Sequence, residues 1–391
     1  DRLGPRIVST AGGIILGIGL ILSSFTNHYS ESAALWWLLL TFSILGGTGI
    51  GMSYVCPIAT CAKWFPDKRG MITGLAVAGF GAGAFFFAPL ARALISGGYY
   101  QIFGVDLFPL PAVGVFNTFL VLGFIFLVAV VLGSQFLKNP PAGYVPAGWT
   151  PPTPAASATA AKVDYTPTEM LKTPVFWLLW ITYFAGCTAG LQVIMKASPI
   201  WQSFSISAMT QFPIEQHVFV NVVSAGAMVV AVLAIFNATG RIFWGKVSDS
   251  LGRKNTLILM FVICGIVMLG LDWMHSYLLY TVSACTVGLC FGGYLALYPA
   301  VTTDFYGTKH IGVNYGWMFT AYGAGGIAGP FLAAWLMKAG QAVEYQVMEG
   351  GALTTKLFHV GDYRQAFMIS GAACLISAVL MLFVKAPHPS K

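Results

Sequence analysis

The sequence predicts an all-α membrane protein built as two pseudo-symmetric helical bundles. Three observations predict it: the balance of apolar and charged residues, a succession of long apolar runs, and a repeat on either side of one proline-rich segment. Of the 391 residues, 57% are hydrophobic and 8% charged, whereas soluble domains carry roughly a quarter charged residues. A soluble core cannot absorb that much apolar surface, so the solvent is the bilayer. The 45 glycines agree, because small residues let membrane helices approach one another closely. No polar segment is long enough to build a soluble catalytic domain, which argues against an enzyme.

Ten apolar runs of about 18 residues or more mark the spans. In order they fall near 7–27, 35–62, 70–97, 113–137, 174–200, 218–245, 256–273, 277–303, 312–338 and 364–385. Lysine and arginine orient them. One set of connections and termini holds 14 of these residues, among them Arg6, Lys63, Lys68, Arg69, Lys246 and Arg253, and the other holds 5. The richer side is the cytoplasmic one, and it carries the C-terminus. This asymmetry, with anionic lipid as partner, accounts for the net charge of +7 without nucleic acid. The seven cysteines lie within spans, with no CxxC pair and no histidine beside them. They read as small apolar fillers, so no metal and no cofactor is expected.

The segment 138–172 interrupts the pattern. It holds seven prolines within a Pro/Ala-rich stretch and reads as an extended cytoplasmic linker. Near its end, Thr166 and Glu169 have capping-box spacing, with Pro167 at the first helical position, which predicts a short helix. The linker divides the chain into 1–137 and 173–391. "DRLGPR" at 1–6 answers "DSLGRK" at 249–254, "FGAG" at 80–83 answers "YGAG" at 322–325, and Pro57 answers Pro299. Two related halves joined by a long linker is a transporter pattern. Two spans precede Asp249 within the second half, and none precedes Asp1. The repeat therefore predicts a twelve-helix protein of which about ten helices are present.

The stretch from 245 to 253, G-x-x-x-D-x-x-G-R with Gly245, Asp249, Gly252 and Arg253, resembles the signature loop of the major facilitator superfamily. Asp1 and Arg2 resemble part of its first copy. Closer similarity is to the oxalate/formate antiporter family, a relative of the monocarboxylate transporters. It is carried by "KWFPDKRG" at 63–70, "KNPPAGYVPAGW" at 138–149, "GRIFWGKVSDSLGR" at 240–253 and "NYGW" at 314–317. The resemblance implies a secondary transporter of small organic anions in the cell membrane, working as a monomer by alternating access. It implies that the signature Asp pairs with an Arg of the neighbouring loop, and that the pair opens and closes as the halves rock.

Arg241 is a full charge inside an apolar run, with Asn237 four positions earlier on the same helix face. Charges at such depth are costly and usually face a polar cavity. An arginine offers a planar fork of donors that matches a carboxylate. It also lies eight residues before Asp249, about 12 Å along a helix, so snorkelling to the surface is the competing arrangement. The resemblance implies carboxylate binding by Arg241, with cavity positions at Tyr54, Phe80, Phe291, Leu295, Phe319 and Tyr322. For each aromatic, lipid-facing or packing roles compete with cavity lining. Where oxalate exchangers of the family are expected to carry Lys, this chain has Tyr322, which favours a monocarboxylate such as formate, lactate or pyruvate. Lys196 is the other candidate cation and reads as a snorkelling residue. Where animal monocarboxylate transporters have Asp, this chain has Asn237, which favours anion exchange over proton symport. A drug or sugar carrier, an anion sensor and a membrane-embedded enzyme are the other readings. The first lacks the intramembrane acids it needs, the second an attached signalling domain, and the third a cluster of buried histidines or acids.

Overall fold

A computed structural model describes residues 3–102, 105–141, 144–146, 164–349 and 352–387. Asp1, Arg2 and most of the linker lie outside the described residues. The helices run α1 (Gly4–Ser23), α2 (Glu31–Leu38), a π-helical turn (Leu39–Gly46) and α3 (Gly47–Trp64), then α4 (Arg69–Ser96) and α5 (Gly114–Ser134). After the linker come α6 (Pro167–Lys172), α7 (Pro174–Ser207), α8 (Gln216–Leu251), α9 (Arg253–Gly270), α10 (Tyr277–Tyr306), α11 (Ile311–Leu336) and α12 (Arg364–Phe383). Among the described residues, nine spans are long and apolar enough to cross a membrane, counting α2 through α3 as one. The tenth expected span, α11, is a 26-residue helix whose glycines and polar aromatics lower its hydropathy.

Helix α1 packs on α3 and α5; beyond the linker, α10 and α7 are the most buried spans, with α8, α9, α11 and α12 around them. Helix α4 crosses between the two sets and packs along α8 and α10. The repeat is visible in the backbone. Gly4 and Gly252, equivalent in the two copies of the D-x-L-G turn, have φ of 77° and 86°, a left-handed conformation that costs glycine nothing.

The capping box forms as its spacing predicts. The Thr166 amide donates to Glu169 Oε2 at 2.8 Å, and the Glu169 amide donates to Thr166 Oγ1 at 3.4 Å. The Thr166 amide, and the Thr166 hydroxyl that donates to the same Oε2 at 2.7 Å, hold the Glu169 carboxyl below its usual range. Just upstream, the Asp164 carboxylate accepts from the amides of Thr308 and Lys309 at 2.9 and 3.0 Å. The Tyr165 amide donates to the Tyr306 carbonyl at 3.0 Å. The described end of the linker is thereby fixed to the α10–α11 turn.

Two connections that the span reading leaves without secondary structure form antiparallel hairpins. β1 (Gly98–Ile102) pairs with β2 (Val105–Leu110) between α4 and α5, and β3 (Lys338–Glu349) pairs with β4 (Ala352–Asp362) between α11 and α12. They occupy equivalent places in the repeat. The second is anchored to the α7–α8 connection. Ile214 donates to the Glu344 carbonyl at 2.8 Å and accepts from the Gln346 amide at 2.9 Å. Tyr345 stacks on Phe219 with ring centroids 4.0 Å apart, and the Gly361 amide donates to Ser203 Oγ at 3.0 Å.

Truncating this anchor tests it. Tyr345→Ala should lower the thermal unfolding midpoint in detergent. A double-mutant cycle with Phe219→Ala should return a coupling of about 1 kcal/mol. Additive single-mutant effects would show that the stacked pair contributes nothing.

Candidate functional site

Arg241 is 3% exposed. Its side chain does not reach for either surface. One terminal nitrogen donates to the Val77 carbonyl of α4, and the other lies 3.4 Å from Asn237 Oδ1. Nε has no partner. The snorkelling arrangement is therefore not the one adopted: the guanidinium turns inward, across the contact between α8 and α4. The approach is close because α4 presents glycine there. A Cβ added at Gly81 would stand 2.9 Å from the guanidinium carbon. Asn237 itself lies against α10, where a Cβ at Gly292 would meet its Oδ1 at 3.1 Å.

Five of the aromatic candidates form one chain of rings. Phe80 meets Tyr54 edge-on at 5.0 Å; Tyr54 stacks on Phe319 at 4.9 Å; Phe319 stacks on Tyr322 at 4.8 Å; Phe291 lies 6.4 Å beyond. Tyr54 belongs to α3 and Phe319 to α11, so the chain joins helices on the two sides of the linker. Phe80 remains 53% exposed and touches the group only through its ring edge. Phe291 is buried against α7, where Gly190 leaves room for its ring. Leu295 is buried one turn further along α10. Tyr54 and Tyr322 lie within electrostatic reach of Arg241, as do Tyr183 of α7 and Tyr315 of α11. Sequence reading missed these last two. Lys196 sits 22 residues into α7, about 33 Å along the axis from its start, well removed from this depth.

The signature loop forms a second group at one end of the same α4–α8 contact. The Asp249 carboxylate accepts from the amides of Gly70 and Met71 at 3.1 and 3.0 Å and from Arg253 at 2.6 Å. A carboxylate on the first amides of α4 meets both the unpaired N–H groups and the positive end of the helix dipole. The arginine of the neighbouring loop, Arg69, does not pair with Asp249. It donates to Asp304 of α10 at 2.8 Å, and Arg253 Nε donates to the same carboxylate at 3.0 Å. Backbone amides have taken the place expected for the neighbouring arginine, and Asp304, which reads in sequence as a span boundary, is the acid that arginine uses. Gly245 and Gly70 make this possible, since a Cβ at Gly245 would overlap the Gly70 carbonyl. Asp1 and Arg2, expected in the first copy of the loop, lie outside the described residues.

The comparisons give the family. The Major Facilitator Superfamily family model matches residues 1–330 and 202–391, and the chain belongs to that family of membrane transporters. The chain is 29% identical over 329 residues, 84% of this chain and 71% of the other, to an uncharacterized transporter of this type, YhjX of Escherichia coli. It is 27% identical over 386 residues to the oxalate:formate antiporter of Oxalobacter formigenes, covering 98% of this chain and 76% of that one. With rat monocarboxylate transporter 12 it shares 24% identity over 391 residues, 96% and 70% of the two chains. Among solved structures, a proton:xylose symporter, XylE, superposes with a TM-score of 0.62 at 12% identity, over 98% of this chain and 81% of that one. That likeness speaks for the fold.

Two glycine substitutions separate the two groups. Gly81→Ala should displace the guanidinium and reduce transport by about tenfold or more, with little change in the unfolding midpoint, since only a side chain must move. Gly245→Ala should wedge α8 away from α4. A cysteine introduced by Met71→Cys should then label faster with an impermeant thiol reagent than in the Gly245 background. Unchanged labelling would show that the signature contact does not depend on the absence of a Cβ.

Proposed function

We propose that the protein is a secondary transporter of small monocarboxylates that works by anion exchange, with the carboxylate held by Arg241. Residues 1–137 and 173–391 act as two bundles joined by the linker 138–172 and rock about the site between them. The end carrying the signature loop faces the cytoplasm, as the distribution of lysine and arginine requires.

One observation carries the reading. Arg241 is a desolvated cation whose partners among the described residues are a carbonyl and an amide oxygen, both neutral, with Nε left without a partner. A buried charge without a counter-ion is unfavourable, and an anion at about 4 Å gains about 4 kcal/mol at an effective dielectric near 20. The aromatic chain beside it excludes water and offers phenol donors. A monoanion is fully compensated there. A dianion such as oxalate would place its second charge against Tyr322, which is neutral, so oxalate is disfavoured. The oxalate:formate antiporter and the monocarboxylate transporters among the relatives support the substrate class. Asn237, an amide at the position beside Arg241, supports exchange over proton symport, because it cannot carry a proton through the cycle.

The test is counterflow in proteoliposomes. Labelled formate, lactate and oxalate are offered with and without internal carboxylate, for the protein and for Arg241→Lys. Uptake of a monocarboxylate that requires internal anion, and that falls about a hundredfold in the Lys variant, is the expected result; lysine keeps the charge but loses the planar fork. Uptake that survives Arg241→Lys would remove the arginine from the site. Uptake driven by a proton gradient without internal anion would replace exchange with symport.

A further inference from the structure

The last turn of α10 carries the acid that Arg69 of α4 uses. Asp304 lies beyond Pro299 and just before Tyr306, where the helix ends. Proline has no amide proton, so the helix loses one backbone bond at that point. The segment from Ala300 to Tyr306 is therefore tied less firmly to the rest of α10. A helix end also leaves its last carbonyls without partners inside the helix. Whatever holds this end decides where Asp304 stands.

The end of the linker holds it. The Tyr165 amide donates to the Tyr306 carbonyl at 3.0 Å, which satisfies one of those last carbonyls. The Tyr165 ring stands edge-on to the Tyr306 ring, with centroids 5.5 Å apart. Asp164 Oδ1 accepts from the Thr308 and Lys309 amides just past the helix. It lies so close to Gly307, where φ is 82°, that a Cβ there would overlap it. The Tyr165 carbonyl accepts from Asn314 Nδ2 of α11 at 3.0 Å, and Asn314 is fully buried. The Tyr306 hydroxyl shares a bond at 3.0 Å with Thr173 Oγ1, the N-cap of α7. Asp164 and Tyr165 thus staple the end of α10 to the start of α11, and Tyr306 carries the tie to α7. This gives a use to the "NYGW" stretch at 314–317, which the carboxylate site leaves without one.

We propose that Asp164, Tyr165 and Asn314 are positioning residues of the signature-end latch. By fixing the end of α10 they hold Asp304 where Arg69 reaches it, so the docked linker and the α4–α10 contact engage and release together. Of the two arginines on Asp304, Arg253 comes from α9, on the same side of the linker as α10, and Arg69 comes from the other side. A displaced Asp304 therefore weakens the tie between the two halves while the pair within the second half can follow it. The inference rests on the rocking of two bundles proposed above and not on the identity of the substrate.

The experiment measures labelling of Met71→Cys, in the first turn of α4, by an impermeant thiol reagent in detergent. The protein without Met71→Cys gives the background from the native cysteines. Labelling is compared for Met71→Cys alone and combined with Asp164→Ala, Asn314→Ala, Arg69→Ala, and Arg69→Ala together with either of the first two. Asp164→Ala and Asn314→Ala should each raise the rate about fivefold. Asp164→Asn, which keeps an acceptor oxygen, should raise it less. Added to Arg69→Ala, neither should raise it further, because the pair they position is already gone. Unchanged labelling in Asp164→Ala, or an increase that adds in full to that of Arg69→Ala, would overturn the assignment. Asp164 is exposed, so its variants keep the fold and decide the matter even where Asn314→Ala lowers the unfolding midpoint. Counterflow that survives Arg241→Lys would remove the carboxylate reading and leave this one standing, since the labelling is read without substrate.

Discussion

The contact between α4 and α8 depends on a charge that has been taken out of water and left without a counter-charge. Arg241 is held by the Val77 carbonyl across that contact, so the cation itself ties a helix before the linker to one after it. The tie is weak in the way a moving part requires. It consists of neutral acceptors, and it is accessible only because α4 offers glycines where α8 approaches. An anion arriving at the guanidinium would compete with the carbonyl for the same donors. On that proposal, occupancy of the site and the closeness of α4 and α8 would be coupled through one side chain.

At the signature end the same contact is held differently. Asp249 sits on the first amides of α4, while Arg69 and Arg253 share Asp304. Four charged groups from α4, α8, α9 and α10 neutralise one another, with the helix end as a fifth participant. When α4 moves, the Arg69–Asp304 pair and the bonds of Asp249 to the α4 amides are lost together, while Arg253 keeps Asp249 and Asp304 compensated. The interior tie is single and unpaired, and the end tie is multiple and compensated, which suits a substrate-sensitive point inside and a latch outside.

Much of this could be read from the chain beforehand, for identifiable reasons. An arginine in an apolar run is conspicuous, and so is an amide one turn away, so Arg241 and Asn237 stand out. The ring chain from Phe80 to Phe291 could be assembled only through resemblance, since 29 phenylalanines and 16 tyrosines look alike to a periodicity argument. Tyr183 and Tyr315 carried no sequence signal, because only their nearness to Arg241 in the fold distinguishes them from the other tyrosines. The Val77 carbonyl is backbone, which no side-chain pattern can mark. Asp304 was visible but misplaced in meaning, since an acid at the end of a span reads as the edge of the membrane. The hairpins were hidden for another reason: a search for long apolar runs passes over strands whose polar and apolar residues alternate.

The second hairpin has a mechanical consequence. By bridging α11 to α12 and pairing through Ile214 with the α7–α8 connection, it fastens four helix ends at the face opposite the signature loop. A splint at one end of a set of rods makes the set turn as a lever and prevents it from splaying like a fan. A displacement at the signature end is then carried to the opposite face as a rotation of the whole set, so little of the stroke is lost to bending between the two faces.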